Sequence, residues 1–427
     1  MNLHDSEHVA GVLERAGYSP AADIDSAAVI VFNTCSVRKS AEERVWGNLG
    51  RLFSPGKGLP VVAVCGCMAV RVGEQISSSG RARVVFSMDT LESLPELIER
   101  AAAGPVLATG DVTCASIDCL PSLRRSALRA WVPVSHGCDN YCSYCVVPYV
   151  RGGQRSRPSG EVLDEVRALA DDGVVEVTLL GQNVNSYGRD NCDVDFAAML
   201  DSVASVPGID RVKFESSHPR DLDDSILRAM GQNVAVCEHL HLSVQSGSDR
   251  VLKAMNRGYD AGYYMERVQA AREAVEGLVV TTDIIVGFPG EDERDFEATL
   301  ELVRRARFDA AYTFIYSERE GTTAANMREF VPGDVKHERF GELCALQEEN
   351  TRLSLASMVS REVEVLIEGP ARRGDMLSGR TRGGRVVLLA GGSLEGEALV
   401  KARITGSGKH AARGIIEEVL RRPRSLS

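Results

Sequence analysis

The 427-residue sequence lacks any apolar run long enough to span a bilayer. Its first residues, Met1-Asn2-Leu3-His4-Asp5-Ser6-Glu7, lack the basic and apolar regions of a secretory signal. The longest apolar stretches, Ala27 to Phe32 and Leu278 to Phe288, fall far short of the roughly 20 residues that span a bilayer. These absences point to a soluble, cytoplasmic protein. In a reducing compartment, 11 cysteines argue for metal binding rather than cross-links. Internal repeats and low-complexity segments are also missing, which excludes a repeat architecture.

Positive charge is scarce as well. The net charge of −11 argues against nucleic acid binding until its distribution is read. From Ser360 to Ser427, 13 Lys and Arg stand against 8 Asp and Glu, so this tail is net +5 and the remainder −16. A basic tail on an acidic body is the asymmetry of an enzyme with an appended RNA-binding module, although an ordinary basic surface has the same signature.

What the chain does hold is a dense cysteine run. Cys138, Cys142 and Cys145 form a C-x3-C-x2-C sequence followed by Val-Val-Pro-Tyr. Three thiolates hold three corners of a four-iron cluster and leave the fourth iron open, hence reactive. Cys142 and Cys145 also have zinc-like spacing, with His136 or Cys138 to help complete a tetrahedron. A zinc site would bring a second ligand pair about 12–20 residues away, but the next cysteine is Cys192, alone. The ferredoxin pattern closes its set with a fourth cysteine, and that too is missing.

At this length the chain should hold two or three domains. In the first, strands Ala27 to Phe32, Val61 to Val64 and Val84 to Phe86 alternate with helices Ser36 to Phe53 and Thr90 to Ala102; the first helix is marked by Val37, Ala41, Val45, Leu49 and Leu52. Ligands of open parallel sheets bind beyond the carboxyl ends of strands, where Cys35 and Cys67 both fall. Thr113 to Ser126 lacks periodicity and reads as a linker. A second α/β series follows, with strands Ala130 to Ser135, Val175 to Leu180, Val212 to Glu215, His239 to Val244, Val279 to Val286 and Ala311 to Tyr316. Between them lie helices Gly160 to Asp171, Phe196 to Val206, Asp223 to Met230, Ala261 to Val275 and Glu293 to Arg305. Six βα units are too few for a full eight-stranded barrel, so a partial (βα)6 barrel is expected, its functional residues on the loops after strands. From Arg361, short strands (Glu362 to Ile367, Met376 to Thr381, Arg385 to Leu389, Ala398 to Ile404, Gly414 to Leu420) and a Gly383-Gly384 hairpin turn predict a small β-barrel of the oligonucleotide-binding kind.

A C-x3-C-x2-C loop after the first strand of a partial barrel resembles the radical S-adenosylmethionine (SAM) enzymes. Further motifs narrow this: Asn33-Thr34-Cys35-Ser36-Val37-Arg38, Cys67 before Met68-Ala69, the Val-Val-Pro-Tyr-Val-Arg-Gly after Cys145, Leu180-Gly181-Gln182-Asn183-Val184-Asn185 and the C-terminal β domain. Together, and in order along essentially the whole chain, they resemble the methylthiotransferases of that superfamily. Gln182-Asn183-Val184-Asn185 favours the branch acting on isopentenyladenosine in tRNA over those acting on threonylcarbamoyl-adenosine or a ribosomal protein. A non-catalytic iron–sulfur RNA-binding protein is the more distant alternative.

The resemblance implies an N-terminal cluster domain over 1–112, a linker over 113–127, a radical SAM core over 128–358 and a TRAM RNA-binding barrel over 360–422. It implies two 4Fe–4S clusters, one on Cys138, Cys142 and Cys145 and an auxiliary one on Cys35 and Cys67. One SAM molecule would give the methyl group and another the radical. The implied partners are a tRNA anticodon stem-loop carrying isopentenyladenosine, a flavodoxin- or ferredoxin-like electron donor and iron–sulfur assembly proteins, with the enzyme a monomer. Tyr144, Gln182, Asn183, Ser216 and Gln245 are the candidate cofactor-binding residues, with Glu215 and His218 also at strand ends. His239 and His241 read as ordinary strand residues.

One departure stands out. The family's auxiliary cluster takes a further cysteine from a Gly-Cys-x-Met-Asn sequence ending an initial strand, whereas this chain begins at Met1-Asn2. The expectation is that the true start lies upstream; the alternative is a two-cysteine variant with Cys65 as third ligand. Cys114, Cys119, Cys192, Cys237 and Cys344 read as ordinary thiols. Arg372, Arg373, Arg380, Arg382 and Arg385 are candidate phosphate contacts, each also explicable as a solvated charge.

Overall fold

The apolar run Val29–Thr34 has β-branched residues enough for a strand and too few residues for a helix, and it opens a parallel sheet. The computed structural model describes residues 1–36, 39–52, 60–110, 120, 122–372, 374–390, 394 and 396–423. Val37, Arg38, Phe53, Cys114, Cys119, Arg373 and most of the expected linker lie outside them. The chain forms two compact units: residues 1–125 with 136–141 and 145–154, and residues 126–135 with 142–144 and 155–427.

The first unit runs α1 (Asn2–Arg15), β1 (Val29–Thr34), α2 (Lys39–Leu52), β2 (Val61–Gly66), α3 (Cys67–Ser78), β3 (Val84–Phe86), a 3-10 turn, α4 (Leu94–Arg100) and β4 (Val106–Ala108). The four strands pair in parallel in the order β1-β2-β3-β4. One face buries Val9 and Val12 of α1 and Leu94, Leu97 and Ile98 of α4 against Ala63, Val84 and Phe86. The other buries Leu49 of α2 and Met68, Val72 and Ile76 of α3 against Val62, Val64 and Val85. The expected strands and α2 are present; α1, α3 and β4 are elements the periodicity did not reveal.

In the second unit, β5 (Arg129–Pro133) begins a new series. The two-residue strands β6 (Ser135–His136) and β7 (Arg155–Ser156) flank α5 (Val147–Arg151) in sequence. There follow α6 (Ser159–Asp171), β8 (Glu176–Leu180), α7 (Phe196–Ala204), β9 (Arg211–Phe214), α8 (Asp224–Gln232), β10 (His239–His241), α9 (Asp249–Ala254), α10 (Ala261–Ala274), β11 (Val279–Val286), α11 (Glu293–Ala306) and β12 (Ala310–Ile315). Strands β5-β8-β9 and β10-β11-β12 form two parallel sheets, joined by single bridges Val212 to Val236 and Ser217 to Leu242. Six parallel strands with outer helices are the expected partial barrel. Side-chain caps set the helix starts after several loops: Asp195, Asp223, Ser248, Asp260 and Asp292 each accept a backbone N–H of the first turn.

A 24-residue helix, α12 (Gly333–Ala356), leads to the last module. Strands β13 (Glu362–Pro370), β14 (Met376–Thr381), β15 (Val386–Ala390), β16 (Ala398–Ser407) and β17 (Ala412–Arg421) close into a barrel in the order β13-β14-β15-β17-β16. Alternating positions fill it, among them Val365, Ile367, Val387, Leu389, Val400, Ala402 and Ile404. The expected hairpin is there, with the Gly384 N–H donating to the Thr381 carbonyl at 2.9 Å. Among the described residues no helix is long and apolar enough to cross a membrane.

Candidate active site

The backbone brings Cys35 and Cys67 together. In the parallel register Thr34 faces Gly66, so the next residue of each strand, Cys35 and Cys67, leaves the same sheet edge side by side. Thr34 Oγ1 donates to the Cys65 carbonyl at 2.5 Å and accepts the Met68 N–H at 3.2 Å, which locks the two strand ends. Asn2 Nδ2 donates to the Thr34 carbonyl at 3.2 Å, and Asn33 Nδ2 to the Asn2 carbonyl at 2.8 Å, so α1 begins against the end of β1. Cys65 lies within β2. It is fully buried in the apolar core, and burial pushes its thiol well above the ordinary value.

Beside Cys67 lies a cavity of about 50 Å³ lined by Asp5, Gly66, Ser87, Asp89, His136 and Arg151 among others. One water needs roughly 10–15 Å³ on such a measure, so the space admits a group of a few atoms next to the thiol. Arg151 Nη2 donates to Asp5 Oδ2 at 2.6 Å, and Arg151 and Cys67 line the same cavity. Burial opposes ionisation of Asp5, yet the charge of Arg151 and its hydrogen bond, with His4 nearby, hold its carboxyl well below the usual carboxylate range.

The cysteine run is shaped by glycine. Gly137 has φ of +74°, and a Cβ there would stand 2.0 Å from the Gly153 carbonyl oxygen. The Cys138 N–H donates to the Gly152 carbonyl at 3.1 Å. Cys138 and Cys142 are buried and Cys145 is half-buried. The Val147 N–H points at Cys145 Sγ at 3.5 Å. In the second unit Arg257 Nη1 donates to Cys142 Sγ at 3.3 Å and to the Tyr144 hydroxyl at 3.4 Å, while its Nη2 holds the Ser243 carbonyl at 2.7 Å. Among the described residues, no three His, Cys, Asp or Glu side chains converge as a single ion such as zinc requires. A four-iron cluster takes each thiolate at a different iron, so its ligands need no common point. Thiols meeting N–H donors suit it, since hydrogen bonds to sulfur are part of how a protein holds such clusters.

The remaining candidates line strand ends. Ser216 and Gln245 sit at φ of +68° and +73°, a region that costs a non-glycine residue on the order of 1–3 kcal/mol and is concentrated at functional sites. Asn183 Nδ2 donates to Asp221 Oδ2 at 2.7 Å, whereas its own Oδ1, Gln182 Oε1 and both amide atoms of Asn185 are buried without a protein partner. Such atoms call for a ligand or water. Tyr144 packs with Phe288, Tyr316 and Met255. Burial, with Arg257 and Arg220 nearby, pulls His218 down to about 2, so it stays neutral and its Nδ1 accepts the Arg220 N–H.

Three features escaped the sequence reading. Arg257 had no spacing to mark it, and Arg151, although part of the Val-Val-Pro-Tyr-Val-Arg-Gly run, carried no role there. His241, expected to be an ordinary strand residue, belongs to a polar group: its Nε2 meets Asp283 Oδ2 at 3.2 Å, and Ser243 Oγ donates to the same oxygen at 2.6 Å. Alternation along β11 places Asp283 on the inner face, a signal the sequence contains.

The proposed phosphate contacts have other work. Arg382 binds the carbonyls of Val234 and Val236 at 2.6 and 3.0 Å and pairs with Glu238. Arg385 pairs with Asp309 at 2.6 Å, and Arg380 with Glu368 at 3.2 Å. Arg372, by contrast, is exposed.

Comparison with known proteins follows the same division. Residues 132–303 match the Radical SAM superfamily, residues 1–87 the Uncharacterized protein family UPF0004 and residues 356–416 the TRAM domain. The chain is 45% identical over 395 residues to the tRNA-2-methylthio-N(6)-dimethylallyladenosine synthase of Caldicellulosiruptor saccharolyticus, covering 91% of this chain and 84% of that one. It is 46% identical over 411 residues to the protein of that name from Salinispora arenicola, covering 93% and 81%. Among solved structures, the radical S-adenosylmethionine methyltransferase TsrM of Kitasatospora setae aligns with a TM-score of 0.50 at 14% identity, over 74% of this chain and 65% of that one. At that identity the likeness concerns the fold alone.

Proposed function

The chain belongs to the tRNA-2-methylthio-N6-dimethylallyladenosine synthase family of radical SAM enzymes, and on that premise we propose which of its residues carry the reaction. It is a methylthiotransferase that acts at C2 of N6-isopentenyladenosine beside the tRNA anticodon. Its superfamily implies SAM and a 4Fe–4S cluster. When bound, that cluster supplies the electron that cleaves SAM to a 5′-deoxyadenosyl radical.

Cys138, Cys142 and Cys145 would hold this cluster, with Arg257 donating to the Cys142 sulfur from a fully buried position. Tyr144, Gln182, Asn183, Ser216 and Gln245 would contact SAM or the target base; the buried, unpartnered amide atoms of Gln182 and Asn183 favour this role. Cys35 and Cys67 would hold an auxiliary cluster. The register that sets them side by side, with the cavity at Cys67, is the observation that carries this part. The TRAM barrel would bind RNA, because the family of that domain and the basic balance of residues 360–427 both favour it. A single-stranded anticodon loop suits the chemistry, since an unstacked base enters a pocket at low cost. A flavodoxin- or ferredoxin-like protein would supply electrons, iron–sulfur assembly proteins would load the clusters, and the enzyme would act as a monomer. The domain limits 1–112, 128–358 and 360–422 remain our assignment.

Nucleoside analysis of tRNA from a deletion strain tests the substrate. Isopentenyladenosine should accumulate and its 2-methylthio form disappear. The wild-type gene should reverse this and Cys142→Ala should not. Loss of a methylthiolated threonylcarbamoyl-adenosine instead would move the enzyme to another branch.

A further inference from the structure

Arg151 lies at the end of α5, the helix that starts two residues after Cys145, yet it lines the cavity beside Cys67 of the other cysteine set. Two things fix it there. The fully buried Asp5 of α1 receives its Nη2 at 2.6 Å. The backbone around it is clamped because Cys138 and Gly152, the residue after Arg151, are hydrogen-bonded. A fork-shaped cation with one arm on a carboxylate has its other donors set in direction, which a lysine cannot reproduce.

We propose that Arg151, anchored by Asp5, is a positioning residue for the Cys67 sulfur and ties it mechanically to the loop that ends in Cys145. This rests on the reading of Cys67 as a ligand of the auxiliary cluster. A donor aimed at a ligand sulfur withdraws charge from it, and hydrogen bonds to sulfur are among the factors that set a cluster's potential. Arg151 would therefore hold the auxiliary centre at a higher potential than the thiolates alone would give. Asp5 keeps the guanidinium from swinging into the cavity at Cys67, which stays open for a small group.

The test uses the full-length reconstituted protein with Cys138, Cys142 and Cys145 changed to alanine, so that only the auxiliary cluster is observed. Arg151→Gln alone would strand the buried Asp5 carboxylate, so the pair Asp5→Asn with Arg151→Gln is used beside Arg151→Lys. Iron and sulfide content and an EPR-monitored redox titration are recorded for each. The expected result is near-parental iron with a midpoint shifted to more negative potential and an altered EPR signal in the double variant, partly restored by lysine. With the radical cysteines intact, methylthiolated product per 5′-deoxyadenosine should fall roughly 10–100-fold. An unchanged midpoint and EPR signal, at parental iron, overturns the proposal for Arg151. Parental auxiliary iron in Cys67→Ala overturns the ligand reading instead, so the two failures are distinguishable.

Discussion

At the scale of single residues, the sequence marked the groups whose chemistry depends on spacing and hid those that act through space. Cys138, Cys142 and Cys145 are recognisable because a cluster needs thiolates at short intervals. Asp5 and Arg151 are 146 residues apart and meet only in the folded unit. The His241–Asp283 pair is similar, and it carries a pH signature. Burial disfavours a charged His241, but the bond to Asp283 raises its pKa above 6.5; Asp283, buried yet bonded to His241 and Ser243, falls below 3.8. The carboxylate's contribution is present above 3.8 and lost as pH falls through its folded value. The imidazolium's is complete below 6.5 and lost as pH rises through its folded value. The pair is thus worth most between those two values. We expect Asp283→Asn to cost on the order of 1–2 kcal/mol near pH 5.5 and clearly less near pH 9. Urea melts of parent and variant at both pH values would reveal this; an equal cost at both would contradict it.

Element by element, strands were easier to read than helices. The barrel strands are continuous apolar runs or alternate cleanly, and β11, β14 and β3 fall where periodicity placed them. Helix α12 went unread because its buried stripe, Arg339, Leu343, Gln347 and Leu355, is half polar: Arg339 pairs with Glu291 at 2.9 Å and Gln347 bonds the Phe308 carbonyl. Tertiary partners, not hydrophobicity, justify those positions. The β14–β15 hairpin has a further constraint. A Cβ on Gly383 would lie 2.3 Å from Val279 Cγ2 at the start of β11. Gly383→Val should therefore destabilise this contact by about 1–3 kcal/mol, lowering the melting temperature. A double change of Gly383→Val with Val279→Ala should recover part of it, and no recovery would place the clash elsewhere.

For the whole molecule, the charge asymmetry in the sequence was real but its interpretation was incomplete. Much of the C-terminal positive charge is spent inside the chain, on Glu238, Asp309, Glu362, Glu368 and Glu417. Arg211 of β9 is fully buried, paired with Glu176 at 2.9 Å and donating to the Thr381 carbonyl at 2.8 Å. Tail charge and RNA affinity should separate accordingly. Replacing exposed Arg372 with Gln should reduce the dependence of tRNA affinity on log salt concentration by about one unit at most, whereas Arg382→Gln should leave that slope unchanged and lower thermal stability. Filter binding across a salt series, with calorimetry alongside, distinguishes them; a slope change confined to Arg382 would reverse the assignment. The guanidinium of Arg211 also bears on modularity. A TRAM barrel borrowed from a relative would need a carbonyl presented where Thr381 presents one, and a glycine where Gly383 clears Val279. Chimeras made by cutting between α12 and β13 would thus inherit a mismatched seam, and successful exchange should require the β9 and β11 contact residues to travel with the module they serve.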